Sequence, residues 1–413
     1  EPGSSDGDAS CQQGRVHGPT RAGARFMTTT AAPALPSAVR FGVGCCGAMR
    51  ADIDAAGWRR PLLVHGKRSF LASGASDAIL PQLLLCDVGV FDDVVTNPTT
   101  VAVAQCMAAI VAHRADVVIA VGGGSALDTA KAAVWGLARG GDLDAALDRD
   151  PGQRSPALPL VAVPTTAGTG SEVTHFAAIY RDGVKFSVAG AELRPTLAYC
   201  DPALTQSLPR ATTVAAGLDS FCQAVESLWS VGSTAHSRGH ARIGAQLALR
   251  HLLPAATHGG IGDRAGMMEA ATRAGLGIDV SKTTACHALS YTLTSSFGVD
   301  HGLAVAVFLP PVLRFNAAVD ENDCLDPRGL AAARAVIAEI CDLVGATATA
   351  TDPGDGGAVT TLAGRAEQAA SRLEAWMAAL GVSLRLADYG VATRAERAFV
   401  AASVNAERLG NNP

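Results

Sequence analysis

A chain of 413 residues exceeds the roughly 250–300 that one hydrophobic core organises, so two domains are expected. Its 48% hydrophobic and 17% charged residues exclude a disordered or fibrous chain and permit a sizeable core. The net charge of −5, with no Lys/Arg-rich run, argues against a nucleic-acid partner; the longest apolar runs, Val117 to Val121 and Ala304 to Leu309, are far too short for a membrane span.

Residues 1–26 are rich in Gly, Ser, Arg and Asp, lack the apolar stretch of a signal peptide, and read as a disordered extension, with Met27 as an alternative start. The ten cysteines are scattered and include no CxxC pair. Buried thiols in a reducing cytoplasm are therefore expected, rather than disulfides or a cysteine-built zinc site. The adjacent Cys45 and Cys46 have no supporting ligands in the sequence around them.

Between residues 27 and 208, short apolar runs alternate with amphipathic stretches. Strands are predicted at Pro61 to His65, Gly89 to Asp92, Asp116 to Val121 and Leu158 to Val163, with helices between them. Buried strands alternating with helices indicate a parallel sheet covered on both faces, an α/β domain.

Two loops follow predicted strands. Gly122-Gly-Gly-Ser-Ala-Leu-Asp-Thr-Ala-Lys131 opens a helix, and its glycines let the backbone approach a pyrophosphate at a helix N-terminus. Read alone, it fits a structural turn equally well, and it is not GxGxxG. Pro164-Thr-Thr-Ala-Gly-Thr-Gly-Ser-Glu-Val-Thr174 packs hydroxyls and small residues into the second loop. Such a run is commonly only a polar turn, but both loops sit at carboxyl ends of strands, where α/β sheets bind ligands.

From residue 209 to 413 the pattern turns helical, with helices predicted at 212–230, 237–253 and 265–276. A Gly- and Asp-rich loop at Thr349 to Gly357 precedes a further helix at Leu362 to Leu380.

The two loops, together with Asp201-Pro202, Gly217-Leu-Asp219, His287 and His301-Gly302 in this order, resemble the iron-containing alcohol dehydrogenase family over nearly all of residues 39–413. The resemblance implies a dehydroquinate synthase-like architecture: a Rossmann-like α/β dinucleotide-binding domain, an all-α domain, and a metal in the cleft between them. It also implies a homodimer. Gly122, Gly123, Gly124 and Ser125, with Asp128, would serve the pyrophosphate, while Thr165, Thr166 and Thr169 would line the nicotinamide and ribose. Lys185 would lie near the ribose; read alone it is a solvated strand lysine. Gly66 stands where NAD-specific relatives carry an acidic residue, and Lys67 and Arg68 follow it, so NADPH is admitted beside NADH.

The same resemblance implies Asp219, His287 and His301 as metal ligands, with Gln223 at a position where the family has a third histidine. Iron(II) or zinc suits such a set. The reaction implied is reversible hydride transfer between NAD(P)H and an aldehyde, with Tyr291, four residues after His287, as the candidate proton donor. The segments at 219–230, 232–238 and 281–291 are similar to the branch of the family that reduces phosphonoacetaldehyde. Arg238, Lys282, Ser233 and Thr234, with Thr283 and Thr284, offer donors for a phosphonate, though each equally suits a helix start. The other readings are a dehydrogenase of simple alcohols, a metal-independent reductase, a dehydroquinate synthase-like lyase and a noncatalytic binding protein.

Overall fold

The computed structural model describes residues 38–346, 361–404 and 409–413. The expected extension at 1–26 and the expected loop at 349–357 lie outside them. The strands are β1 (Ala38–Phe41), β2 (Pro61–His65), β3 (Gly89–Phe91), β4 (Val117–Gly122), β5 (Leu160–Pro164), β6 (Phe176–Arg181), β7 (Val184–Ala189) and β8 (Leu197–Cys200). Six of them form one parallel sheet in the order β1-β8-β5-β4-β2-β3, and β6 and β7 pair as a separate antiparallel hairpin.

The central strands are apolar apart from His65 at the end of β2, because both faces are covered. Leu62, Val64, Val118, Ala120, Leu160 and Ala162 point into a core shared with α4 (Thr100–His113) and α5 (Gly124–Ala138). Their neighbours Leu63, Val117, Ile119, Val121, Val161 and Val163 point into the opposite core. That core is shared with α1 (Met49–Ala56), α2 (Lys67–Ala72) and α3 (Ala75–Ile79). This period of two with no polar face is the signature of a doubly covered parallel sheet. A short α6 (Leu143–Asp148) follows α5.

Helices fill the remainder: α7 (Arg210–Trp229), α8 (Ala235–Thr257), α9 (Ile261–Ser281), α10 (Ala285–Phe297), α11 (His301–Ala306), α12 (Leu309–Ala317), α13 (Leu330–Leu343), α14 (Leu362–Ala379) and α15 (Arg394–Ala402). The chain therefore has a Rossmann-like parallel sheet followed by an all-α region. α7 is buried all round from Gly217 to Trp229, so Asp219, Gln223 and Glu226 on it are polar groups inside a core. α8 runs past the expected stop at Leu253, carrying Pro254 in its last turn. α9 reaches from Ile261 to Ser281, longer than 265–276 at both ends, and Lys282 stops it with φ 60° and ψ 176°.

Two glycine contacts bring the halves together. Gly170, at φ +62°, lies against Gly275 of α9, where a Cβ would come within 2.4 Å of the Gly275 Cα. Gly302 presses α11 onto α7, where a Cβ would lie 1.8 Å from the Ala215 carbonyl oxygen. The helix carrying His301 can sit this close to the helix carrying Asp219 only because position 302 has no side chain.

Candidate active site

The chain reverses direction across the sheet between β2 and β4, and the carboxyl ends of β2, β4 and β5 open onto one cavity of about 420 Å³. Such a switch point is where open α/β sheets receive nucleotides. Gly66, Gly122 to Ser125, Thr166 and Thr169 line it, with Asp300 and His301 at its helical wall. The loops are fitted to each other as a cradle. A Cβ at Gly124 would lie 2.7 Å from Thr169 Cγ2, and one at Gly123 would lie 3.2 Å from Thr166 Oγ1. Backbone amides at the start of α5 thus stay open to a pyrophosphate.

Two sequence expectations change here. Thr165 is buried beneath the loop, donating its N–H to the Gly122 carbonyl at 2.9 Å, and lines neither cavity. Asp128 accepts from Ser171 Oγ at 2.7 Å and from the Ala178 N–H at 2.9 Å, bracing the second loop and the β6–β7 hairpin, and it lines the adjoining cavity instead. Lys67, which follows Gly66, is an exposed lysine paired with two carboxylates. Its Nζ lies 2.7 Å from Asp93 and 3.5 Å from Asp92.

The adjoining cavity, about 390 Å³, shares Thr169, Asp219 and His301 with the first. Asp219 and Gln223, one turn apart on α7, face His287 in the first turn of α10 and His301 at the start of α11. Ligating atoms of Asp219, His287 and His301 all lie within 4.8 Å of one another. His287 Nε2 is 3.3 Å and His301 Nε2 4.0 Å from Asp219 Oδ1. Gln223 Oε1 is buried with no hydrogen-bond partner. A buried carbonyl oxygen left unsatisfied is costly, and beside this cluster it has the character of a fourth ligand. The residues present therefore fit a divalent ion.

Glu226, one further turn along α7, has no counterpart in the sequence reading. Its carboxylate is fully buried and pairs with His287 Nδ1. It also accepts the N–H groups of Thr284 at 3.0 Å, Cys286 at 3.0 Å and His287 at 3.3 Å, closing the N-terminus of α10. Holding the far ring nitrogen fixes the tautomer and aims Nε2 at the cluster. Burial works against the charged form of His287, but Glu226 and Asp219 outweigh it and raise its pKa to about 9. For Asp219 burial pulls upward, yet the two imidazoles hold its carboxyl below the ordinary range.

Tyr291 lies on the cavity wall, its ring stacked on that of His301 with centroids 6.3 Å apart and Lys185 Nζ 4.2 Å from its own ring centroid. Lys185, on β7, thus faces this cavity. Lys282 and Thr283 line it as well. Ser233, Thr234 and Arg238 do not. Thr234 caps α8 in a reciprocal capping box with Ser237, Ser233 Oγ accepts from Arg328 at 3.1 Å, and Arg238 is set against Asp326. Thr284 is buried under Trp229, whose Nε1 donates to its Oγ1 at 2.7 Å.

In their place the structure supplies Arg194, His175 and Asp279. Arg194 pairs with Asp279, which also accepts the His175 N–H at 2.8 Å and lies 2.5 Å from its ring Nδ1. All three line the cavity, so Lys185, Arg194 and Lys282 give it three cationic side chains near the metal-binding cluster. The positive-φ, extended-ψ backbone of Lys282 is a region populated essentially by glycine, so the cation is held there at a conformational cost.

The comparisons agree with this geometry. Residues 36–202 match the model for iron-containing alcohol dehydrogenase, and residues 213–413 match the C-terminal model of the same family. The chain is 35% identical to a phosphonoacetaldehyde reductase of Streptomyces viridochromogenes, over 82% of this chain and 81% of that one. It is 33% identical to a 4-hydroxybutyrate dehydrogenase of Cupriavidus necator, over 68% and 75% respectively. Among solved structures, a sulfoacetaldehyde reductase from Bifidobacterium kashiwanohense in complex with NAD+ superposes with a TM-score of 0.78 at 27% identity, covering 94% of this chain and 95% of that one. Fold and site define an NAD(P)-dependent, metal-containing alcohol dehydrogenase or aldehyde reductase. The chain belongs to the iron-containing alcohol dehydrogenase family.

Proposed function

We propose that the chain reduces a short anionic aldehyde to its primary alcohol, with phosphonoacetaldehyde as substrate and 2-hydroxyethylphosphonate as product. The observation that carries this reading is the cavity lined by Lys185, Arg194 and Lys282 beside the metal-binding cluster. Asp279 offsets the charge of Arg194, and Asp128 and Asp219 also line the cavity, so Lys185, Arg194 and Lys282 would act there as directed donors to an anionic tail rather than as net positive charge. A dianionic tail is attracted by two ammonium groups in a restricted cavity far more strongly than an alkyl tail. The relatives named for phosphonoacetaldehyde and sulfoacetaldehyde support the same substrate class.

Asp219, Gln223, His287 and His301 would hold the ion, iron(II) or zinc, and the Gly122–Ser125 turn with Thr166 and Thr169 would hold NADH or NADPH. When bound, the dinucleotide supplies a hydride and the ion polarises the carbonyl oxygen. Glu226 keeps His287 in its ligating tautomer. Tyr291, on the cavity wall with Lys185 Nζ 4.2 Å from its ring centroid, would give a proton to the nascent alkoxide. The closeness of Thr169, Asp219 and His301 to both cavities keeps cofactor and aldehyde in contact.

The test is metal analysis of the purified protein with phosphonoacetaldehyde assayed under NADH and NADPH. Stoichiometric cofactor oxidation, lost on chelation and regained with iron(II) or zinc, is expected. Turnover unchanged by exhaustive chelation contradicts the metal assignment, and absence of net cofactor oxidation would revive the lyase reading.

A further inference from the structure

Away from the cluster at Asp219, the edge of the sheet brings together a second set of ligating groups. β1 pairs in register with β8, from Ala38 opposite Leu197 to Phe41 opposite Cys200. Past the strands, the chain after β1 turns at Gly42 and Gly44 into a 3-10 turn, Cys45–Ala48, while β8 runs directly into Asp201. The sequence shows two adjacent cysteines with no companion. Strand pairing delivers the companion from 155 positions away, the difference between 201 and 46. The sulfur atoms of Cys45 and Cys46 and a carboxylate oxygen of Asp201 all lie within 4.8 Å of one another.

The surroundings suit a cation. Cys46 is 1% and Asp201 2% exposed, while Cys45 is half-buried and gives the cluster an opening. Asp201 is aimed by the N–H of Ala203, which donates to its Oδ1 at 3.0 Å. The Cys46 thiol is pushed up by its hydrogen bond to Cys45, then by burial and by Asp201. An ion must displace that thiol proton to bind. Two thiolates and a carboxylate form a soft tetrahedral donor set with a fourth position left to water. Metal–sulfur bonds of about 2.3 Å place such ligands roughly 3.8 Å apart, so modest side-chain rotation closes the cluster onto an ion.

We propose that Cys45, Cys46 and Asp201 form a second metal site, separate from the Asp219 cluster and specific for a soft divalent cation such as zinc, which clips the turn after β1 to the end of β8. Binding releases two thiol protons for each ion: M2+ plus two thiols and one carboxylate gives an anionic dithiolate–carboxylate complex and two H+.

Cadmium titration of the full-length apoprotein, kept reduced with a phosphine, tests this through the ultraviolet cadmium–thiolate charge-transfer band and the count of reactive thiols. The expected result is one thiolate-bound cadmium per chain and protection of Cys45 from alkylation. The band should survive Asp219→Asn, which disables the other cluster. Cys45→Ser, at the half-buried position, should abolish it. Asp201→Asn, which keeps an acceptor for Ala203, should weaken binding about tenfold or more. No band in the unsubstituted protein, or a band unchanged by Cys45→Ser with the circular dichroism intact, overturns the proposal. Zinc competing the band away extends the site to the physiological ion, and failure of zinc to compete removes zinc as its ligand.

Discussion

Lys282→Gly separates the two things position 282 does. The backbone there, at φ 60° and ψ 176°, costs a non-glycine residue about 1–3 kcal/mol, which glycine recovers. Glycine also enlarges the entropy of the unfolded chain, at about 0.5–1 kcal/mol, so the variant should be as stable as the parent or more stable by roughly 1–2 kcal/mol. The lost ammonium has the opposite consequence for catalysis. A charge-assisted hydrogen bond to a phosphonate oxygen contributes about 1.5–3 kcal/mol, which is roughly 10- to 150-fold in kcat/KM for phosphonoacetaldehyde. Propanal, with no anion to bind, should change by less than about threefold on the same scale. Lys282→Ala is the control: it loses the same selectivity without the relief of strain. Paired thermal melts and steady-state kinetics read both effects. A fall in melting temperature for Lys282→Gly refutes the strain argument, and equal losses for the two aldehydes refute the placing of Lys282 against the anion.

Other substitutions probe the metal-binding face. Glu226→Gln leaves the α10 amides an acceptor but removes the charge that orients His287, so metal affinity should drop roughly 10- to 100-fold, measured by competition with a chelator. Gln223→His places an imidazole where an unsatisfied carbonyl now points and should raise metal retention through gel filtration; unchanged retention would show that position 223 does not reach the ion. In Gly302→Ala the new methyl meets the Ala215 carbonyl, which should destabilise the fold by roughly 1–3 kcal/mol and lower metal content as His301 is pushed away from Asp219. Differential scanning calorimetry with metal analysis checks both parts.

Much of this architecture is legible in the sequence because the sheet is covered on both sides. The short run Pro61 to His65, apolar up to its closing histidine and one of several such runs alternating with helical stretches, reads as a buried strand, and β2 has those bounds. Asp219, His287 and His301 converge as the family resemblance implies. What the sequence hides are partners joined only by the fold. Glu226 meets His287 across 61 positions, Arg194 meets Asp279 across 85, and His175 meets Asp279 across 104. No local pattern marks such pairs. Ser233, Thr234 and Arg238 mislead for the opposite reason: the donors that suit a phosphonate are the same groups that start α8. Lys282 was visible as a residue but not as a strained one, since nothing in a lysine signals a backbone suited to glycine.

The central claim is that the cavity lined by Lys185, Arg194 and Lys282 beside the Asp219, His287 and His301 cluster selects an anionic aldehyde. Its most direct measurement is the ratio of kcat/KM for phosphonoacetaldehyde to that for propanal on the metal-loaded enzyme. Two ammonium contacts to the anion, at about 1.5–3 kcal/mol each, correspond to a preference of at least about 100-fold. Equal efficiency with the two aldehydes would contradict the account and return the chain to the dehydrogenases of simple alcohols.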